Sequence, residues 1–384
     1  MTSGNSIILA AGGTGGHIFP AVAVAEQLLS RGHIVSLFTD RRGITLETTP
    51  KEVAVHRIYA SGMRGGILAK AGGIITLGTG VLQALRLFNK FRPKCVIGFG
   101  GYPSAPTMIA ATLRKLPSVI HEQNAVIGRV NRLVARHVSI IATSFVDTIG
   151  LPAQVATLEI VTGNPVRAAF AEARNKKYPE LGAPGTKAQI LVLGGSQGAK
   201  VFSDVVPEAF AAMPADLRRR FDVMQQCRPE DIERVRDTYQ SAEMSPELST
   251  FFDDVPARMA AAHIVLTRSG ASTVAELAEA GRPAILVPYQ HATDDHQTAN
   301  ARAIDNGGAG WLLPHDRFTV EILTSHLKRL INQPDIAIAA ANAARHLGGR
   351  HAAAAIVNEV ERLISPHLYR GSGPGTKLTG KSAT

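Results

Sequence analysis

Ile7-Ile8-Leu9-Ala10-Ala11-Gly12-Gly13-Thr14-Gly15-Gly16-His17 sets a short apolar run directly against a glycine-rich loop, and Ile190-Leu191-Val192-Leu193-Gly194-Gly195-Ser196-Gln197-Gly198 does the same in the second half of the chain. Apolar runs of this length bounded by glycine read as strands buried on both faces. Glycine lets the backbone turn sharply and lets main-chain N–H groups approach an anion, to which a following helix presents its positive N-terminus. One such loop can equally close a tight strand-to-helix turn that holds no ligand. Two of them, one per half, predict two nucleotide-binding-type halves facing one cleft.

Outward from these loops the pattern alternates. Residues 34–39, 95–98, 119–121 and 140–143 read as further strands of the first half, with helices at 21–29, 81–91, 107–116 and 126–135. The second half repeats this with strands at 190–193, 222–225, 264–267 and 284–287 and helices near 201–212, 229–240 and 274–280. Strand-helix alternation predicts an α/β protein of two Rossmann-like domains, each a parallel sheet covered on both faces. The Asn-Pro turn in Gly163-Asn164-Pro165-Val166-Arg167 marks a hinge. It divides an N-terminal domain at 1–165 from a C-terminal one at 166–344, with a C-terminal helix at 345–366 expected to pack back toward the first domain. Residues 367–384, rich in Gly, Ser, Thr and Lys, read as a disordered basic tail.

With 45% hydrophobic and 19% charged residues, the 384-residue chain has the composition of a soluble globular protein with a large core. Its two cysteines, Cys95 and Cys227, lack metal spacing and support neither a disulfide framework nor a zinc site. The opening residues lack the basic region of a signal peptide, and glycine, threonine or charge interrupts each apolar run, so neither export nor a membrane span is expected. The net charge of +10 is unevenly placed: between Glu52 and Glu122 there is no carboxylate, while Arg57, Arg64, Lys70, Arg86, Lys90, Arg92, Lys94, Arg114 and Lys115 all lie there. Within that window Ile74, Ile75, Leu77, Val81, Leu82, Leu85, Leu87 and Phe88 suit a helix with one apolar face. An anionic membrane surface attracts that combination at about 1 kcal/mol per nearby cation. A core helix with a solvated basic side is the alternative. Nucleic acid is not expected, because aromatics are few and no reading motif occurs.

Four further segments follow predicted strands, where open α/β sheets gather ligands. Gly98-Phe99-Gly100-Gly101-Tyr102-Pro103-Ser104 is a third glycine-rich turn, able to take a second phosphate group or to serve only as a loop. His121-Glu122-Gln123-Asn124 offers consecutive hydrogen-bonding side chains for sugar hydroxyls, with a solvated polar loop as the alternative. It is not the His-Glu-x-x-His of a zinc protease. The segment Arg268-Ser269-Gly270-Ala271-Ser272-Thr273-Val274-Ala275-Glu276 could aim helix N–H groups at a phosphate while Glu276 holds a ribose diol. Thr273 to Glu276 also spells a capping box that needs no ligand, and spacing leaves both readings open. His291, Asp294, Asp295 and His296 are metal-ligand types, although adjacent aspartates would diverge on a helix. His17 opens a helix whose dipole disfavours protonation and leaves a neutral imidazole able to accept a proton, unless it merely caps the turn or packs in the cleft.

In this order, Gly12–His17, Gly98–Tyr102, His121–Asn124, Gly163–Arg167, Gly194–Ala199, Ser269–Glu276 and Gln290-His291…Gln297…Asn300 closely resemble the MurG family of bacterial glycosyltransferases, over roughly residues 7–364. That family moves N-acetylglucosamine from UDP-GlcNAc to the 4-hydroxyl of the MurNAc of lipid I, undecaprenyl-pyrophosphoryl-MurNAc-pentapeptide, giving lipid II in peptidoglycan synthesis. The resemblance implies the GT-B architecture, with the donor nucleotide mainly on the C-terminal domain. It implies Ser196, Phe252, Ala271, Ser272, Thr273, Val274, Ala275 and Glu276 as uridine, ribose and phosphate contacts. Thr14, Gly15, Gly16, Asn124, Arg167 and Gln297 become the remaining UDP-GlcNAc contacts, and Gly13, Gly100 and Gly101 fall to the acceptor pyrophosphate. His17 is the candidate base. The segment 291–297 is one residue longer than the family pattern, which makes Gln297 the better match.

Direct displacement with inversion is implied, with no cofactor. Glycine-loop N–H groups and helix N-termini can stabilise departing UDP without a metal. Ile75, Leu82, Leu85 and Phe88, with Arg86 and Lys90, are expected to form a surface for anionic phospholipid at the cytoplasmic face of the inner membrane, held peripherally. Other cell-wall synthesis proteins are conceivable partners. Another UDP-sugar transferase of the same fold is the alternative. A dinucleotide-dependent oxidoreductase is a more distant one, because Asp40 ends a strand where a ribose-binding acid would sit, although the first loop lacks G-x-G-x-x-G spacing. A non-catalytic membrane-surface scaffold would use the basic window alone.

Overall fold

The computed structural model describes residues 4–12, 14–40, 49–60, 66–181, 185–195 and 198–365, with 67–70 as backbone only. Gly13, Arg64, Ser196, the side chain of Lys70 and the 367–384 tail, each the subject of an expectation above, lie outside the described residues. The apolar run before the first glycine loop becomes β1 (Ser6–Ala10), and around it form β2 (Ile34–Thr39), β3 (Ala54–Arg57), β4 (Cys95–Gly98), β5 (Ser118–Glu122), β6 (Ile140–Thr143) and β7 (Glu159–Val161). They make one parallel sheet in the order β3-β2-β1-β4-β5-β6-β7. The run before the second loop becomes β8 (Ala188–Leu193). With β9 (Phe221–Gln226), β10 (Glu247–Ser249), β11 (Ile264–Thr267), β12 (Ala284–Leu286) and β13 (Gly310–Leu312) it makes a second parallel sheet, β10-β9-β8-β11-β12-β13. Strand order reverses beside β1 and beside β8, so the loops after β1, β4, β8 and β11 open the crevices where such sheets bind ligands.

The helices are α1 (Gly15–Ser30), α2 (Ile67–Phe91), α3 (Ala105–Leu113), α4 (Arg129–Val134), α5 (Ala168–Arg174), α6 (Lys200–Ala211), α7 (Ala215–Arg218), α8 (Ile232–Ser241), α9 (Val255–Ala261), α10 (Ala271–Ala280), α11 (His296–Asn306), α12 (Val320–Asn332), α13 (Pro334–Leu347) and α14 (Ala352–Ile364). Helix α1 starts at the glycine loop itself rather than at residue 21, and Pro20 sits inside it at the loss of one backbone bond. Helix α2 likewise begins at Ile67, well before residue 81. Its Ala71–Phe91 stretch is long and apolar enough to cross a membrane by length and composition, against the expectation that no run reaches that length. Packing gives it another place. Ala84 and Phe88 belong to a core cluster with Phe38 and Met108, and the Phe38 and Phe88 rings stack with centroids 6.2 Å apart. A Cβ at Gly80 would overlap the Tyr59 carbonyl oxygen, so glycine is what lets α2 lie this close to the domain.

Helix α14 crosses back from the second half to the first. Ile356, Val357 and Val360 are fully buried in the core that also holds Ile7, Leu9, Val24 and Leu28. Arg31 Nη1 donates to Glu361 at 2.7 Å, and the His33 ring lies 3.1 Å from the same carboxylate. Truncating Ile356 to alanine should therefore destabilise the N-terminal domain by about 2–5 kcal/mol. The check is a lower denaturant midpoint with the far side of the second sheet unperturbed.

Candidate functional site

Three segments of the first sheet converge at one point. Thr14 precedes α1, and its carbonyl accepts the N–H groups of His17 and Ile18 at 3.0 and 3.2 Å, which puts Gly15, Gly16 and His17 in the first turn and leaves the N–H groups of Gly15 and Gly16 outside that turn's own bonds. Gly100 and Gly101 both take left-handed backbone angles, φ +80° and +70°. Their turn closes on the edge of the imidazole: a Cβ on Gly101 would stand 3.1 Å from His17 Cδ2 and 3.4 Å from Nε2. The candidate base and the turn assigned to the acceptor pyrophosphate are thus neighbours.

The third segment is the polar run ending β5, which is buried rather than solvated, with His121, Glu122 and Gln123 almost wholly inaccessible. Glu122 Oε1 accepts from the backbone and side-chain amides of Asn124 at 3.0 and 3.3 Å. Its Oε2 accepts from Gly128 N and Asn131 Nδ2, each at 2.8 Å. Asn124 Oδ1 accepts from Asn300 Nδ2 at 3.1 Å, and Asn300 Oδ1 accepts the Ala125 N–H at 2.8 Å, which joins the two domains across the crevice. Gln123 stands between His17 and His121, 3.0 Å from a ring nitrogen of each. Burial pushes the His121 imidazole down to about 4, so it is neutral. Gln123, expected with its neighbours to meet sugar hydroxyls, is bonded within the protein instead, and Asn300 carried no role in the sequence because nothing in the letters says which polar side chain reaches across a domain boundary.

On the second sheet, α10 begins at Ala271 with Gly270 before it. Thr273 is the third helical residue and cannot cap, which removes the capping-box reading of Thr273 and Glu276. Glu276 is instead buried, and its Oε1 accepts from Arg167 Nη2 at 3.0 Å. Burial lifts this carboxyl to about 7 against the pull of Arg167. The Arg167 guanidinium lies 4.8 Å from the Phe19 ring and 4.9 Å from Phe170, spanning from α1 to α5. Among the described residues Ser272 Oγ is buried without a partner, beside the open N–H groups of the first turn of α10. Ala275 and Asn164 line an interdomain cavity of about 380 Å³ on the linker side of α10, whose wall includes neither His17 nor Gly101. The Val274 side chain packs in the domain core, and Phe252 is buried under the Arg258 guanidinium, 4.3 Å from its ring.

The metal-ligand types of 291–296 do not converge. Asp294 pairs with Arg129 at 3.1 Å, Asp295 accepts from Thr298 at 2.6 Å, and His296 Nδ1 lies 2.6 Å from the Thr293 carbonyl. Among the described residues no three His, Cys, Asp or Glu side chains form a metal cluster. Gln297 is held at the mouth of the crevice, its Oε1 accepting the Tyr289 N–H at 2.9 Å while its carbonyl accepts Ser269 Oγ at 2.8 Å.

The proposed membrane face needs one correction. Ile75 is 68% and Leu82 58% exposed, with Arg86 and Lys90 beside them, but Phe88 is only 4% exposed and Leu85 is half-buried. Phe88 follows Ala84 by four residues and so shares its inward face. Ile74, 61% exposed, completes the apolar face that the helix presents outward.

Two parallel-sheet domains set across one crevice are the GT-B architecture of family 28 glycosyltransferases. The N-terminal domain description of that family matches residues 7–143, and the C-terminal one residues 189–359. The chain is 50% identical over 339 residues, 88% of its length and 89% of the relative's, to the UDP-N-acetylglucosamine--N-acetylmuramyl-(pentapeptide) pyrophosphoryl-undecaprenol N-acetylglucosamine transferase of Rhodospirillum centenum. It is 48% identical over 359 residues, covering 93% and 96%, to the protein of the same name from Paramagnetospirillum magneticum. The crystal structure of Acinetobacter baumannii MurG superposes with a TM-score of 0.77 at 28% identity, covering 93% of this chain and 99% of that one. The chain belongs to this transferase family, MurG.

The raised Glu276 carboxyl makes a pH prediction. Below about 7 it becomes neutral and loses its pairing with Arg167. With Glu276 as the proposed ribose contact, UDP affinity by calorimetry should weaken as pH falls from about 8 to about 6, and Glu276→Gln should bind weakly with that pH dependence flattened.

Proposed function

We infer that the chain is the inverting hexosyltransferase that moves GlcNAc from UDP-GlcNAc to the 4-hydroxyl of MurNAc in lipid I, giving lipid II. The observation that carries this reading is the pairing across one crevice of His17, beside the Gly100–Gly101 turn, with the α10 N-terminus, Ser272 and the Arg167–Glu276 pair. Arg167 fixes Glu276 Oε1 and leaves Oε2 to accept from the ribose diol. The N–H groups of Ala271, Ser272 and Thr273, with Ser272 Oγ, face the diphosphate and stabilise the charge that builds on it. Thr14, Gly15 and Gly16 from α1, and Asn124 and Gln297 from the crevice walls, hold the sugar. Gly13 and Ser196 join this reading by their place in the motifs.

In the transfer, the 4-hydroxyl oxygen attacks the anomeric carbon from the face opposite the diphosphate. The carbon–oxygen bond to UDP breaks with its electron pair going to UDP, and the hydroxyl proton passes to His17 Nε2. No step calls for a metal. The test is UDP release against a lipid I analogue in EDTA-containing buffer, where wild type should be fully active. His17→Ala should lose about 10²–10⁴-fold in kcat with donor KM nearly unchanged. Rescue by added Mg²⁺, or an unchanged kcat in the variant, would overturn the corresponding step.

The polyprenyl acceptor calls for a membrane, and the outward face of α2 fits one: Ile74, Ile75 and Leu82 exposed, with Arg86 and Lys90 near its C-terminal end. We place this face on the anionic cytoplasmic leaflet of the inner membrane, with the protein peripheral to it. An Ile75→Glu, Leu82→Glu variant should bind anionic vesicles at least about tenfold more weakly, while turning over a short-chain soluble acceptor at the wild-type rate.

A further inference from the structure

A histidine that takes a proton at Nε2 must carry its own proton on Nδ1, and which nitrogen holds it is set by what the other nitrogen meets. His17 Nδ1 lies 3.0 Å from Gln123 Oε1. A glutamine amide placed the other way round would offer Nε2 to His17 and demand the opposite tautomer, so the orientation of Gln123 decides the matter. That orientation is fixed by a group with no choice. Gln123 Nε2 lies 3.1 Å from the His121 carbonyl oxygen, which can only accept; a flipped amide would set two carbonyl oxygens against each other. The same Nε2 lies 3.0 Å from His121 Nδ1. That nitrogen is an acceptor as well, because His121 Nε2 points 3.0 Å away at another obligatory acceptor, the Gly163 carbonyl of the interdomain linker. His121 is buried and neutral, so it has a single ring proton, and the Gly163 carbonyl claims it.

We propose that Gln123 is a positioning residue that locks His17 in the Nδ1–H tautomer, its own amide oriented by the carbonyl of His121 and, through the His121 ring, by that of Gly163. The chain of donors runs one way, from His17 through Gln123 and His121 to the linker peptide, and it leaves His17 Nε2 as a bare lone pair facing the Gly100–Gly101 turn. Among the described residues nothing else bonds to that nitrogen. The proposal rests on the reading of His17 as the base only for its effect on rate; the tautomer itself is a separate observable.

The experiment is long-range proton–nitrogen correlation spectroscopy on the full chain with ¹⁵N-histidine, His17 being assigned by loss of its signals in His17→Ala. Wild type should show His17 protonated at Nδ1 and bare at Nε2. Gln123→Leu, of similar size but without the amide, should shift His17 toward the Nε2–H tautomer and lower kcat about 10–100-fold with donor KM within about twofold. Unchanged UDP affinity certifies its fold. Wild-type His17 protonated at Nε2, or an unshifted tautomer in Gln123→Leu, overturns the proposal. A shifted tautomer with unchanged kcat upholds it and overturns the assignment of His17 as base instead.

Discussion

The Glu122 carboxyl is buried at the end of β5 with N–H donors on both oxygens, from Asn124 and Gly128 in the backbone and from Asn124 and Asn131 in side chains. Burying a carboxylate that lacks its hydrogen bonds costs several kcal/mol, so the loop from Gln123 to Asn131 has little freedom to take another shape. From that shape the rest of the crevice follows. Asn124 is delivered to Asn300 on the opposite domain, and Gln123 to His17. The Glu122 main-chain carbonyl accepts both the N–H and the hydroxyl of Ser144, tying the loop after β6 to the same point.

The domains are joined by contacts of unequal weight. Arg129 and Asp294 form an exposed pair that solvent and salt screen, so it contributes little. The bonds from Asn300 to Asn124 and Ala125 are better shielded and geometrically specific. Arg167 is stronger again, since its guanidinium is flanked by two aromatic rings and bonded to a buried carboxylate. Because Phe19 belongs to α1 and Glu276 to α10, this one side chain registers the donor half against the acceptor half. The linker that carries Arg167 also carries Gly163, whose carbonyl terminates the donor chain from His17.

The central strands were legible because β1, β4, β8 and β11 are apolar runs ended by glycine or by a polar turn, and buried parallel strands have no solvent side to dilute the pattern. The short strands β3, β7, β10 and β13 escaped because Ala54–Arg57, Glu159–Val161, Glu247–Ser249 and Gly310–Leu312 sit toward sheet edges and carry too few apolar residues for a period to register. Helix starts were misplaced where Pro20 and the glycines around 72–80 interrupt the expected composition, although packing holds both helices intact. Phe88 was assigned outward because an apolar helix with two usable faces does not declare which one the core claims. At the site, glycine turns and the Ser269–Glu276 run announced themselves by residue type. The link through Gln123 could not, because an amide between two histidines acquires direction only from carbonyls that folding brings beside it.

Helix α14 closes the core of the first sheet although it follows β6 by more than 200 residues. On a ribosome the N-terminal domain therefore emerges with part of its apolar surface bare, and it stays so until α14 has been synthesised. Contacts this distant in sequence slow folding and prolong the exposure of sticky intermediates. The second sheet, whose strands lie between Ala188 and Leu312, can assemble before that helix exists. The order of completion then runs against the order of synthesis, with the domain begun first left open the longest.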